Sequence, residues 1–144
     1  MSETVAATGS GPEVRSGGCL CGKIRFTVTG PVDDPHICAC KDCSKRSGAP
    51  FQWWLGFAMA GLKWTGAEPT WFDTHPGKTA RGFCGACGSH IAARDYGDGM
   101  VIGILATALD HCATDLALVP TNLNRLAEAA PWLAQYDNRH AAAG

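Results

Sequence analysis

The sequence predicts a mostly β, layered fold, and three observations support this. Residues 24–28 alternate apolar and polar side chains, as a half-buried strand does. The middle of the chain then divides into short segments of strand length, separated by glycine or proline. The longest apolar run, residues 100–109, contains Val101, Ile102 and Ile104, whose branched side chains favour a buried strand over a helix. Many short strands with frequent turns are typical of all-β architectures.

The chain begins with residues 1–16, which we expect to be a flexible arm. This segment has neither the basic start nor the apolar stretch of a signal peptide, so we expect a cytoplasmic protein. We predict one domain over residues 17–136 and a flexible tail over residues 137–144, because 144 residues with 46% apolar side chains suffice for one core.

Within the predicted domain, the strand at residues 24–28 is followed by "GPVDDP", whose two prolines predict a turn. Phe51, Trp53, Leu55 and Phe57 then alternate along a second strand. Further short strands are expected in "LKWTG", "TWFDTH", "KTARGF" and "SHIAARD". Near the end, residues 123–130 carry apolar side chains at helical spacing before Pro131, which predicts a short helix.

Charge and hydropathy exclude two classes of partner. The formal net charge is −1, from 12 basic and 13 acidic residues that are interspersed, so a nucleic acid is not expected. The longest apolar runs reach only about half of the ~20 residues needed to cross a bilayer. We therefore expect no membrane partner and a small-molecule substrate.

The eight cysteines among 144 residues are too few for a typical disulfide scaffold, and seven of them are clustered. In a reducing compartment such clusters indicate metal binding or catalysis. Cys19 and Cys21 form a C-x-C pair, whereas Cys84 and Cys87 form a C-x-x-C pair, and a glycine directly follows each pair. Two such pairs together make one closed, four-sulfur structural zinc site, which would staple distant parts of the chain.

The third cluster contains Cys38, Cys40 and Cys43 and lacks an obvious fourth ligand. Three protein ligands and a free fourth position are the composition of a catalytic zinc site, so we predict two zinc ions per chain. Three alternatives remain at this point: disulfides, one zinc site with spare thiols, and a closed second site. The closed site would take its fourth ligand from the following set: His36, His75, His90 or Cys112.

Three residues close to this cluster in sequence are candidates for contact with the substrate. Lys45 and Arg46 could neutralise the anionic zinc site or hold a substrate carboxylate, although solvated surface charges are the alternative. Trp53 and Trp54 point to opposite faces of one strand, so one of them is free to wall a pocket, and Trp54 is our candidate.

The segments "GGCLCGKIRF", "CACKDCSKRSGAPF", "RGFCGACGSHI" and "APWL" occur in this order over residues 17–133. In this the chain resembles the glutathione-dependent formaldehyde-activating enzyme family, which includes the centromere protein V type. The resemblance implies compact, mostly antiparallel sheets stapled by zinc, related to the fold of B-type methionine sulfoxide reductases. It also implies structural zinc at Cys19, Cys21, Cys84 and Cys87, with catalytic zinc at Cys38, Cys40 and Cys43.

The implied activity is that of a carbon–sulfur lyase, which makes or splits S-(hydroxymethyl)glutathione. Ala39 lies where relatives often carry a polar residue, and "NLNRLAEA" replaces a strand-like segment, so both are candidate positions for changed specificity. Two other functions remain as hypotheses: a non-catalytic, zinc-stapled module that binds glutathione or a protein, and a zinc enzyme that cleaves the adduct of a different small electrophile.

Overall fold

A computed structural model describes residues 13–122 and 129–132 of the chain. The described part is mostly β, as predicted, and consists of two antiparallel sheets with little helix. Its strands are β1 Val14–Gly18, β2 Arg25–Thr29, β3 Asp33–Cys38, β4 Gln52–Ala58, β5 Leu62–Trp64, β6 Thr70–His75, β7 Thr79–Phe83, β8 His90–Asp95 and β9 Asp98–Leu105. A short helix, α1, spans Lys41–Ser47, and 3-10 turns occur at Met59–Gly61, Ala106–Ala108 and Leu116–Leu118.

The smaller sheet has the strand order β1-β2-β5. Phe26 and Val28 of β2 are fully buried, whereas Thr27 between them is partly exposed, so the predicted alternation is confirmed. The ring of Phe26 packs edge-on against Trp64 of β5 at 5.6 Å between ring centroids. Aromatic pairs of this geometry add to the stabilisation that burial alone provides.

The larger sheet has the order β3-β4-β9-β8-β7-β6, so β3 and β6 are its edges. One face carries the apolar side chains of Leu55, Phe57, Ile102 and Ile104, which join β2 in a single hydrophobic core. Because side chains alternate along a strand, the residues between them point to the other face. That second face carries α1 and the candidate site.

The structure also shows elements that the sequence analysis did not place. Residues 14–16, expected in the arm, belong to β1, where buried Arg15 pairs with Asp115 at 2.7 Å. The predicted turn "GPVDDP" extends into β3, and Pro35 is tolerated there because an edge strand can lack one backbone donor. Helix α1 was not predicted. The helix predicted at residues 123–130 lies largely outside the described residues.

Candidate metal and substrate site

Cys19, Cys21, Cys84 and Cys87 lie together, with all four sulfur atoms within 4.8 Å of one another. The sulfur of Cys21 is 3.5 Å from that of Cys19 and 3.9 Å from that of Cys84. Four sulfurs bound to one zinc at about 2.3 Å in a tetrahedron would be about 3.8 Å apart. These four residues therefore have the donor type and the spacing to hold a zinc-sized ion.

The two pairs adopt their geometry because of the glycines that follow them. Gly22 and Gly88 both have a φ of +82°, a left-handed conformation that glycine adopts without strain. The resulting turns direct backbone N–H groups toward sulfur: Ile24 donates to Cys19 at 3.2 Å, and Cys87 donates to Cys84 at 3.4 Å. Such hydrogen bonds stabilise thiolates, which are the form that binds a metal.

Ser89 links the two pairs and was not identified from the sequence. Its hydroxyl oxygen accepts a hydrogen bond from the backbone N–H of Leu20 at 2.9 Å and lies 3.2 Å from the sulfur of Cys87. Hydrogen bonds from the Ser89 hydroxyl and backbone lower the pKa of Cys87 to about 5. The only sequence signal for this role is the position of Ser89 directly after "CGACG".

Cys38, Cys40 and Cys43 form the second group of sulfur atoms, again within 4.8 Å of one another. Cys38 ends β3, Cys40 caps the N-terminus of α1, and Cys43 lies in the first turn, where its N–H donates to the sulfur of Cys40 at 3.4 Å. Among the described residues, no histidine, cysteine or carboxylate supplies a fourth ligand atom to this group. The group therefore includes none of the four candidate fourth ligands: His36, His75, His90 and Cys112. All eight cysteines are free thiols, so the disulfide alternative has no support.

The three thiols of this group differ in acidity. Burial raises the pKa of Cys38, and burial likewise raises the pKa of Cys43 to about 12, although a hydrogen bond from Trp54 opposes that shift. For Cys40, burial is outweighed by hydrogen bonds from the backbone and side chain of Cys43, and its pKa is lowered. Holding all three as thiolates at neutral pH requires a positive counter-charge, which a bound dication would supply.

A cavity of about 710 Å³ opens beside the three-cysteine group. Its floor is the second face of the larger sheet, where Gly103 pairs with both Gly56 and Ala93 across neighbouring strands. Residues that pair directly in an antiparallel sheet share a face, so three consecutive strands contribute almost no side-chain volume here. Trp54 forms a wall of this cavity.

Charged groups surround the cavity. Asp42 of α1 accepts a hydrogen bond from the Nε2 of His75 at 2.6 Å, and both residues line the cavity. This contact ties α1 to the edge strand β6. Arg81 of β7 also lines the cavity, and its guanidinium carbon is 5.5 Å from the centroid of the Trp54 ring. Asp42 lies inside the three-cysteine segment but was given no role from the sequence, and His75 was named only as a possible fourth zinc ligand. Arg81 was not singled out, because its segment contains no motif.

The predicted substrate residues lie in different environments. Trp54 is buried and lines the cavity, whereas Trp53 lies on the other face and donates its indole N–H to the carbonyl of Leu118 at 2.8 Å. Lys45 is exposed, and neither it nor Arg46 is among the described residues that line the cavity. Arg46 instead stacks over the rings of Phe72 and Phe83, each at 5.8 Å. Substrate contacts by Lys45, Arg46 and Trp54 stay predictions.

Comparison with known proteins places this geometry in context. The sequence profile of the glutathione-dependent formaldehyde-activating enzyme family matches residues 14–123. No curated protein matches the chain. A crystal structure of a Rhodobacter sphaeroides protein is similar, with a TM-score of 0.60, 16% sequence identity, and coverage of 76% of this chain and 99% of that one. At this identity the likeness shows a shared fold. None of the helices in the described part has the length and apolar character to cross a bilayer.

Proposed function

Because the chain belongs to the glutathione-dependent formaldehyde-activating enzyme family, we propose that it is a zinc-dependent carbon–sulfur lyase. Its substrates are thiol adducts, with glutathione as the expected thiol and formaldehyde or a related small electrophile as the expected partner. The observation that carries this proposal is the group of Cys38, Cys40 and Cys43, which has no fourth described ligand and opens on a cavity. A site used only for stability would be expected to have four protein ligands.

The two proposed zinc ions have different roles. The four-cysteine group would hold a structural ion, since all four positions are taken by protein and the backbone donates hydrogen bonds to the sulfurs. The three-cysteine group would hold the reactive ion. We expect the protein in the cytoplasm, because free thiols persist in reducing compartments.

The reaction joins or splits one carbon–sulfur bond. When bound, zinc would stabilise the substrate thiolate at neutral pH and accept it as a ligand. In the forward direction the sulfur bonds to the carbonyl carbon, the C=O becomes C–O⁻, and the proton lost by the thiol returns to that oxygen. Cys38, Cys40 and Cys43 would hold the ion, and Trp54 lines the cavity beside them, where it can pack against the substrate. His75, held by Asp42 on the cavity wall, is the imidazole proposed to carry the proton.

The cavity sets the conditions for this chemistry. Gly56, Ala93 and Gly103 leave room for the adduct directly above the sheet, next to the cysteine sulfurs. Bringing the thiolate and carbonyl together in one orientation lowers the entropic part of the barrier. Thiols add to formaldehyde without help, so the expected acceleration is modest and has to be measured against a background rate.

The test is exchange spectroscopy on a pre-equilibrated mixture of glutathione, formaldehyde and S-(hydroxymethyl)glutathione. Zinc-loaded protein at sub-stoichiometric concentration is expected to accelerate exchange equally in both directions, because a catalyst leaves the end point unchanged. Cys40→Ser is expected to abolish the acceleration, whereas Cys112→Ser, outside both cysteine groups, serves as the control.

Two results would contradict the proposal. Binding of glutathione without faster exchange would favour a carrier module over an enzyme. If the fully zinc-loaded protein neither binds glutathione nor accelerates exchange, the glutathione assignment fails. In that case a different small electrophile adduct becomes the substrate to seek at the same three cysteines.

A further inference from the structure

Arg81 lines the cavity, and apart from its contact with the Trp54 ring its side chain has no hydrogen-bond or ion-pair partner in the described part of the chain. Among the described residues it forms no ion pair, and its Nε is a buried nitrogen without a hydrogen-bond acceptor. A buried donor left without a partner costs about 1–3 kcal/mol, and more when the group is charged. Such a cost is expected where a ligand completes the hydrogen bonds.

The sheet directs Arg81 toward the cysteine group. Arg81 pairs with Ala93, and Gly103 pairs with Ala93 from the next strand, so Arg81 stands at one side of the small-residue floor. Trp54 stands at the other side, on a strand three strand spacings away, or about 14 Å. The two long side chains meet across the floor, with the guanidinium carbon of Arg81 5.5 Å from the centroid of the Trp54 ring. Trp54 and the three cysteines line the same cavity as Arg81, so a molecule bound there can reach both the guanidinium and the three-cysteine group.

Five aspartates line the cavity, and none of them forms an ion pair with Arg81. Asp42 bonds to His75, and Asp34 lies beside His36. Asp33 lies in the same cross-strand row but four strand spacings away, about 19 Å. Asp95 is nearer, but its Oδ1 accepts a hydrogen bond from the N–H of Gly97 at 2.8 Å, within its own turn. Asp98 likewise accepts from the N–H of Met100 at 2.9 Å.

Arg46 increases the positive potential at this side of the cavity. It stacks on Phe72, the residue that pairs directly with Arg81 across β6 and β7. Burial and the charge of Arg81 lower the pKa of Arg46, so the two cations lie close enough to repel each other. Neither arginine forms an ion pair with a described carboxylate, and two neighbouring, partly buried cations in this state favour the binding of an anion.

We propose that Arg81 binds a carboxylate of the substrate and thereby makes the cavity selective for anionic thiol–aldehyde adducts. This inference rests on the proposed function and assigns a specificity-determining residue to the same site. The planar guanidinium can donate two parallel hydrogen bonds to a carboxylate, one of them from the buried Nε. The carboxylate can belong to the thiol or to the carbonyl compound, as in a 2-oxo acid.

The first arm of the test compares two thiols that differ by one charge, 3-mercaptopropionate and 3-mercaptopropionamide. Calorimetry on zinc-loaded protein is expected to show that the acid binds about tenfold to a hundredfold more tightly than the amide. Arg81→Gln is expected to remove this preference while leaving the affinity for the amide unchanged. Arg81→Lys should retain part of the preference for the acid. Lys63 is an exposed cation on the smaller sheet, so the control variant Lys63→Gln should retain the whole preference.

The second arm places the carboxylate on the other reactant. Here 2-mercaptoethanol is equilibrated with glyoxylate or with glycolaldehyde, and binding of each adduct to wild type and Arg81→Gln is compared. A preference for the glyoxylate adduct that Arg81→Gln removes supports the proposal with the carboxylate on the carbonyl side. Zinc content and the thermal melting curve establish that the variants are folded.

The proposal is overturned if wild type shows no preference for the charged member in either arm, or if Arg81→Gln keeps the preference. It is also overturned if Arg81→Gln weakens charged and neutral ligands equally. Because binding is measured without turnover, a preference that depends on Arg81 in a protein without exchange activity supports the carboxylate site and contradicts only the lyase function.

Discussion

At the scale of single residues, the cavity exists because the centre of one cross-strand row carries only two glycines and an alanine: Gly56, Gly103 and Ala93. A Cβ added to Gly103 would lie 3.4 Å from the Trp54 ring and 3.6 Å from the Cβ of Ala93, which are ordinary contacts. An alanine therefore fits at residue 103 without displacing its neighbours. Any longer side chain there has to extend into the space between Trp54 and Arg81.

We predict that Gly103→Leu blocks this space, whereas Gly103→Ala does not. The leucine is expected to raise the KM for the thiol adduct by roughly tenfold or more, because it occupies volume that the substrate needs. Zinc content and the melting temperature of both variants separate a filled cavity from a damaged fold. An unchanged KM in a folded Gly103→Leu protein would mean that substrate binds elsewhere.

The residues of the site differ in how far the sequence reveals them. The cysteine groups could be predicted, because ligand type and spacing are local properties and each pair carries its own glycine. His75 was a candidate zinc ligand, but its place at the cavity, like those of Arg81 and Gly103, could not be predicted, because these residues become neighbours only through strand pairing and register. Lys45 was chosen for closeness in sequence, yet the helix leaves it exposed.

At the scale of elements, α1 is the part that brings the cysteine group to the sheet. It begins at the Cys40 cap and ends at Gly48, whose φ of +71° terminates it. Its seven residues are too few to be stable alone, so contacts with the sheet must hold it. Asp42 bonds to His75, and Arg46 stacks on Phe72 and Phe83.

The pKa of His90 in β8 depends in part on the position of α1, because Arg46 belongs to this helix. Burial and the nearby charge of Arg46 lower the pKa of His90, and its Nδ1 lies 3.3 Å from the side-chain nitrogen of Gln52. Below pH 6.5 the unfolded chain then binds a proton that the folded protein does not. The free energy of unfolding must therefore fall as the pH falls through this range.

We predict that His90→Gln reduces this pH dependence. Between pH 8 and pH 5.5, wild type is expected to lose more stability than the variant, by at most about 1.4 kcal/mol per pH unit. Urea unfolding in excess zinc at each pH measures the free energy of unfolding of both proteins. Any loss of metal at low pH affects both equally and cancels in the comparison. His111→Gln, which changes an exposed histidine, should behave as wild type. Parallel loss in wild type and His90→Gln would show that folding does not lower the pKa of His90.

The elements that sequence patterns predicted are those with strong apolar alternation, such as β2 and β4, and β9, whose apolar run is rich in branched side chains. Helix α1 was missed because its residues, "KDCSKRS", contain no apolar stripe and form a helix through the Cys40 cap and tertiary contacts. The start of β1 was missed because Arg15 is charged, and Asp115, the carboxylate that pairs with it in its buried position, lies one hundred residues away.

At the scale of the whole molecule, the four-cysteine group joins the two sheets. Cys19 and Cys21 lie between β1 and β2 of the smaller sheet, whereas Cys84 and Cys87 lie between β7 and β8 of the larger one. A three-stranded sheet gains much of its stability from packing on a partner. The three-cysteine group instead connects β3 to the adjacent α1, so its loss should be felt locally.

The central claim is that one cysteine group supports the fold and the other supports the chemistry. The most direct test is the zinc content and folding of Cys84→Ser compared with Cys40→Ser. A structural zinc contributes on the order of 10 kcal/mol, comparable to the whole stability of a domain. We predict two zinc ions per wild-type chain, an unfolded or insoluble Cys84→Ser protein, and a folded Cys40→Ser protein that has lost one zinc. If Cys40→Ser unfolds as completely as Cys84→Ser, both groups are structural and the account is contradicted.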